Sequence, residues 1–355
     1  MGTLYKSHQY NFRKSLIICI VVAIVIASGI FLKRGFYVIS KKTLPPRSIT
    51  YTISSKDDVT MFYGGDTMLG DAAMPLITEK GYSWPLHEIS HLPQSTDVAI
   101  VNLEAPITAR GRPVSGGKTH IYRQHPEALT ALARAGIDIF VLANNHILDY
   151  GVVGLDDTLR EIKVRNLAGL GAGLNEREAR RGLIIEFNSD ETKLPLLRVG
   201  LLAYMEKYRD YVEKYKYFAG PNLPGVAALS EDSLRIDIEA MRPLVDVLIV
   251  SVHWGDDYKP VRQLQRNFGR LAIDLGADAV IGHHPHVPQP VELYKGRPII
   301  YSIGNFVFSS MGKEEYEPHL GERRKLCCGM PVILHIDYMS RRVKMIEFIP
   351  VLTQN

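Results

Sequence analysis

Cysteine is nearly absent from this chain. Only three occur in 355 residues, Cys19 inside an apolar run and Cys327 next to Cys328. No disulfide framework can be built from one isolated thiol and an adjacent pair, and a bridge between neighbours would be strained. A charge excess of one sign is also lacking where it would matter. The chain carries 42 Lys and Arg against 38 Asp and Glu, a net charge of +4, but residues 1–58 hold nine of the basic residues and two of the acidic ones. The remainder, 33 basic against 36 acidic, is slightly acidic. Nucleic-acid binding therefore has no support, and bulk charge does not argue for a polyanion groove. The basic excess instead surrounds an apolar segment, where it can meet anionic headgroups.

That segment is the one long hydrophobic run. Residues 15–32, SLIICIVVAIVIASGIFL, contain no charge and lie between Arg13-Lys14 and Lys33-Arg34. Eighteen residues is about the minimum for a membrane span and exceeds a typical signal-peptide core. A buried helix and a cleaved signal peptide are the alternatives; a lipobox at Cys19 is excluded because Ile18 stands where a small residue is needed. Lys6, Arg13 and Lys14 precede the run, while Lys33, Arg34, Lys41, Lys42 and Arg47 follow it. The positive-inside rule thus does not place the N-terminus in the cytoplasm. The expected layout is a short flank (1–14), a transmembrane signal-anchor (15–32), a polar, Pro-containing linker (33–58) and one domain (59–355).

The domain has ordinary globular composition, 46% hydrophobic and 23% charged over the chain, enough to bury a core. Strand-like runs near 59–63, 97–101, 138–142, 199–203, 246–252, 278–281 and 298–303 alternate with helical stretches at 126–135, 154–163 and 262–275. The alternation argues for layered α/β architecture. PVILHIDY and RRVKMIEFIPVL near the C-terminus read as an antiparallel hairpin. Tyr204, Tyr208, Tyr211 and Tyr215 fall at helical spacing and read as one packed helix face. Lys118, Arg123 and Arg324 could contact an anion, with a surface role the simpler reading.

Where the predicted strands end, metal-type residues recur. FYGGDTMLG supplies Asp66, VAIVNLEAP supplies Glu104, FVLANNHILDYG supplies Asn145 and His146, VLIVSVHWGDDY supplies His253, and VIGHHPHVPQPVE supplies His284 and His286. In an open α/β sheet that edge is where ligands bind. Taken singly, Asp66 could form a turn, Glu104 could lie on the surface and His253 could be a satisfied structural residue. Taken together, carboxylates, an amide oxygen and imidazoles form an O/N donor set suited to Mn, Fe, Zn or Mg. The NNH triplet follows a buried strand and needs partners, with Asn144 a turn cap, Asn145 a ligand and His146 a general acid. Three imidazoles within HHPH are costly to bury unless something organises them.

These motifs, together with GLGAGLNEREAR and GRPIIYSIGNFVF, resemble the CapA family of poly-gamma-glutamate capsule synthesis proteins, a branch of the calcineurin-like metallophosphoesterase superfamily. The resemblance covers about Val59 to Phe308. It implies a four-layer αββα sandwich in which Asp66 and His286 hold one divalent metal, Glu104 bridges, and Asn145, His253 and His284 hold a second. His146 would assist the leaving group. Two departures stand out. Met68 occupies the place of the His in the usual Asp-x-His motif, and Glu104 replaces the bridging Asp, with Ala105 and Pro106 where an Arg often follows. One firmly bound ion and a weaker second are expected. The resemblance also implies an outward-facing domain at the cell membrane. It further implies action there on a polyanionic polymer such as poly-gamma-glutamate, with capsule synthase or exporter membrane proteins as expected partners. A non-catalytic, polymer-binding or scaffold role with a degenerate metal site is the competing expectation.

Overall fold

The computed structural model describes residues 43–54, 58–308 and 328–352. The expected span at 15–32, Cys327 and Arg324 lie outside the described residues. Among the described residues no helix is long and apolar enough to cross a membrane.

Two seven-stranded sheets form the domain. The first runs in the order Arg47–Ile53, Leu183–Ser189, Pro195–Met205, Val247–His253, Ala279–His283, Arg297–Ile300 and Val291–Tyr294. The second runs Arg342–Phe348, Val332–Asp337, Asp58–Met68, Val98–Leu103, Ile139–Val141 and Ala168–Leu170, with Asn305–Phe308 beside the end of Asp58–Met68. Each expected strand is present, and the C-terminal segments form an antiparallel hairpin that joins the second sheet.

Alternation along the strands builds the layers. Ile249 and Ile281 share one buried cluster with Phe62, Ile100 and Phe140 of the second sheet, while their neighbours Leu248, Val250 and Val280 pack with Leu234, Ile238, Ala272 and Ile273. Those last four lie on the helices Glu231–Met241 and Gln263–Leu275, which cover the outer face of the first sheet. The helices Pro126–Arg134 and Gly151–Val164 bury Leu129, Leu132, Leu155 and Ile162 in the cluster shared with the second sheet. Helices packed on two stacked sheets make a layered, mixed α/β fold.

Two sequence expectations require correction. The linker expected at 33–58 contains an edge strand, Arg47–Ile53, paired in parallel with Leu183–Ser189, and the compact unit begins at Pro45. Ile53 is buried and Tyr51 stacks on Phe187 at 5.9 Å, so alternate residues of SITYTI face the core despite their polar neighbours. The tyrosine stripe is not one helix face either. The strand Pro195–Met205 continues through Tyr204 because it pairs with Ser251–His253, and the helix Arg209–Glu213 has five residues. Tyr208, Tyr211, Tyr215 and Tyr217 form a ring cluster instead, while Tyr204 donates to buried Asp237.

Gly65 explains how the first motif is aimed. Its neighbour Asp66 donates its backbone N–H to Gly304 O at 3.0 Å, and a Cβ on Gly65 would lie 1.8 Å from that same oxygen. Only glycine allows this approach. The register with Val98–Leu103 shifts between Tyr63 and Asp66, which sets the Asp66 side chain among the strand ends.

Candidate metal centre

At one edge of the domain the two sheets bring their strand ends together. Asp66 pairs with Asn102 and Asn305 in the second sheet, and His253 pairs with Met205 and His283 in the first. All the residues expected at the site lie here. Asp66 and Glu104 are fully buried and His253 is 1% exposed, with Asn145, His146, His284 and His286 also buried.

The donors sit within reach of common ions. Asp66, Glu104 and His286 form one group, Glu104, His253 and His284 a second, and Asp257, His284 and His286 a third, each with its donor atoms within 4.8 Å of one another. Glu104 is common to the first two, which is the position of a bridging residue. His286 Nδ1 lies 3.2 Å from Asp66 Oδ2, His286 Nε2 lies 3.9 Å from Glu104 Oε1, and His253 Nε2 lies 3.6 Å from that same oxygen. Asn145 Oδ1 is 3.0 Å from His253 Nε2.

Electrostatics are those of a site that wants a cation. Burial alone would raise Asp66, but hydrogen bonding and charge from His286, with help from His283 and Asn102, hold it down at about 2. Burial and the neighbouring Asp66 push Glu104 well above the usual carboxylate range. Burial and the surrounding imidazoles push His253 well below its ordinary value, so it is a neutral, ligand-ready ring. Burial opposes charge on His286 as well, yet Glu104 and Asp66 raise it well above the ordinary value. Glu104 Oε1 and His284 Nδ1 are buried with no hydrogen-bond partner among the described residues. Orphaned buried acceptors are costly, and a divalent ion satisfies them. The O/N donor set, its bridging carboxylate and these orphans therefore fit a divalent metal.

Several contributors escaped the sequence reading. Asn102 lies near the end of the strand Val98–Leu103, two residues before Glu104. Its amide donates to Asp66 Oδ1 at 2.7 Å and lies 3.3 Å from His253 Nδ1, tying the two sheets together. Asn144 is the turn cap expected from the sequence, its oxygen accepting from the backbone N–H groups of His146 and Ile147, and beyond that expectation its amide donates to Asn102 Oδ1 and Leu103 O. Asn305 faces His286 Nδ1 at 2.8 Å. The strand period of two was the available signal for Asn102; nothing local marked Asn305.

His146 has an orienting partner three residues on. Asp149 Oδ2 lies 2.7 Å from His146 Nδ1. The same carboxylate accepts from Tyr122 N at 2.7 Å and Tyr217 OH at 2.6 Å, and pairs with the buried Lys118. Lys118 also donates to Asn145 O at 2.6 Å. The surface reading of Lys118 is thus overturned: its ammonium is enclosed beneath the NNH turn. Arg123, by contrast, lies over the Tyr150 ring. Burial, then the Lys118 charge, lowers His146 to about 4 in spite of Asp149, which makes the ring neutral near pH 7.

Met68 is buried with Ala105, Tyr122 and Phe308 in a small apolar cluster. A thioether is a poor donor to hard divalent ions, so its packing is its role. Met68→Leu is expected to leave metal uptake unchanged and to cost under about 1.5 kcal/mol. Loss of an ion from that variant would instead make the sulfur a ligand.

The family model described as bacterial capsule synthesis protein PGA_cap matches residues 60–310. The chain belongs to this family. It is 30% identical over 268 residues to the PGA biosynthesis protein CapA of Bacillus subtilis, covering 75% of this chain and 67% of that one. It is 26% identical to the capsule biosynthesis protein CapA of Bacillus anthracis, covering 85% and 70%. A probable polyglutamine synthesis accessory protein of Mycobacterium tuberculosis is 29% identical, covering 76% and 80%. Among solved structures, a phosphatase of Mycoplasma pneumoniae superposes with a TM-score of 0.50 at 15% identity, covering 84% of this chain and 95% of that one. The capsule-family resemblance read from GDTMLG, NLEAPIT and HHPH is therefore confirmed, on a mixed α/β fold similar to that of the Mycoplasma phosphatase.

Proposed function

We propose that this PGA_cap-family chain is a membrane-anchored, extracytoplasmic component of poly-gamma-glutamate capsule production, and that its sheet-edge site is a divalent-metal hydrolytic centre. The observation that carries the reading is Glu104, buried, shared by two donor groups and left with one oxygen unpartnered. The anchor rests on the uncharged run at residues 15–32, and the polymer on what the relatives' names state.

Asp66, Glu104, Asn145, His253, His284 and His286 would hold one or two ions. A bound ion supplies Lewis-acid stabilisation of the negative charge that develops when a phosphoester or amide linkage is attacked. The chain's own groups do the rest. Asp149 fixes His146 through Nδ1, so that Nε2 of the neutral ring would take a proton from the attacking water and return it to the substrate's leaving group. Lys118 and the Asn144 oxygen hold the NNH turn from below and within, so the ring is placed before substrate arrives. Tyr208 and Tyr211 stand beside the centre, with Tyr208 5.4 Å from the His284 ring and Tyr211 accepting from Asn145 Nδ2.

His146→Ala, expressed at normal level in a capsule-forming host, is expected to remove most surface polymer while the purified variant keeps its fold by circular dichroism. Unchanged polymer with folded protein would sink the hydrolytic reading. It would favour the second one, a non-catalytic partner of a membrane synthase or exporter, which the loss of a metal donor at Met68 supports.

A further inference from the structure

Asp257 was not among the expected site residues, and its place in the fold differs from theirs. It lies in the turn after His253, and unlike the other donors it is exposed, with 55% of its side chain open to solvent. Its backbone is nevertheless fixed against the histidine segment. Tyr258 N donates to Pro285 O at 2.9 Å, between His284 and His286, and Gln289 Nε2 donates to Lys259 O at 2.9 Å. On the other side Tyr208 OH and the Glu206 carboxylate hold Gly255. The carboxylate therefore stands at a defined point over the two imidazoles, with Oδ1 3.3 Å from His284 Nε2.

That distance suits two donors on one ion. A charge-assisted N–H···O bond would close to about 2.7–2.9 Å. Two donors on one ion at about 2.1 Å each stand roughly 3.0–3.4 Å apart. His284 and His286 are also held at φ of 99° and 56°. Non-glycine residues rarely adopt these values, and such backbone is retained where it aims side chains. The donor atoms of Asp257, His284 and His286 lie within 4.8 Å of one another, with the two imidazoles buried and the carboxylate exposed.

We propose that Asp257 is a metal ligand, forming with His284 and His286 a third, solvent-side donor group for a divalent cation. The assignment rests on the metal reading of the site and adds a residue to it. A ligand on an exposed turn makes that ion the more exchangeable of the two, because the carboxylate can swing away without disturbing the core.

The test uses the full chain in detergent, stripped with chelator and titrated with Mn²⁺ and with Zn²⁺, reading stoichiometry by elemental mass spectrometry and affinity by competition with a chelating dye. Asp257→Asn is expected to weaken one ion about tenfold or more, with Asp257→Glu intermediate and the melting temperature of all metal-free forms equal. His253→Ala runs in parallel. If His253→Ala loses an ion and Asp257→Asn binds like the parent, the centre stands and the role of Asp257 falls. If the parent chain takes up no ion, the metal reading falls and the assignment with it.

Discussion

Glu104→Gln is expected to abolish tight metal binding, with the largest loss of any single substitution at the site. Glu104 is the one carboxylate placed in both principal donor groups, and its Oε1 approaches His253 and His286 without a hydrogen bond of its own. The amide is isosteric and neutral. It removes a charge that burial and Asp66 already make costly in the metal-free protein, so the empty protein should be as stable as the parent or more so. The two effects thus separate: ion uptake falls while the metal-free melting temperature holds or rises. Parallel calorimetric melting and elemental analysis check both. Full metal occupancy in Glu104→Gln would remove the bridging role.

The second large effect is on stability. Asp149→Ala is expected to destabilise the domain by about 3–5 kcal/mol, the range for removing one partner from a buried charged pair. Asp149 accepts from Tyr122 N and Tyr217 OH, orients His146 and balances Lys118, whose side chain is 5% exposed. With Asp149 gone, the lysine is a buried charge without its counter-ion. Adding Lys118→Met should recover a substantial part of the loss, since replacing both partners with apolar groups avoids the orphaned charge. A denaturant-unfolding cycle over the two single variants and the double one measures the coupling. Strict additivity would show that Lys118 and Asp149 do not act as a unit.

Much of this centre is legible in the chain because parallel strands deliver residues to one edge. Asp66, Glu104, Asn145, His253, His284 and His286 each follow an apolar strand, and strand ends converge once the sheets stack. The strand Arg47–Ile53 was hidden by the Pro45-Pro46 pair and its polar alternation, which an edge strand tolerates and a linker shares. The tyrosines showed helical spacing by coincidence, and strand pairing through Met205 overrode it. The buried role of Lys118 could not be read: a lysine after Gly116-Gly117 looks like a solvated loop residue until Asp149, 31 residues later, is folded under it. Asp257 was missed for the converse reason, since an exposed Asp in a turn has no local mark of function and only its register against Pro285 reveals it.

The most direct measurement is anomalous diffraction from crystals of the domain equilibrated with Mn²⁺ or Zn²⁺. The expected result is a strong peak within about 2.0–2.3 Å of Glu104 Oε1 and bounded by Asp66, His253, His284 and His286. Data of good quality with no peak among these residues, or with the ion bound elsewhere, would contradict the metal centre and leave the site as a scaffold for partner proteins.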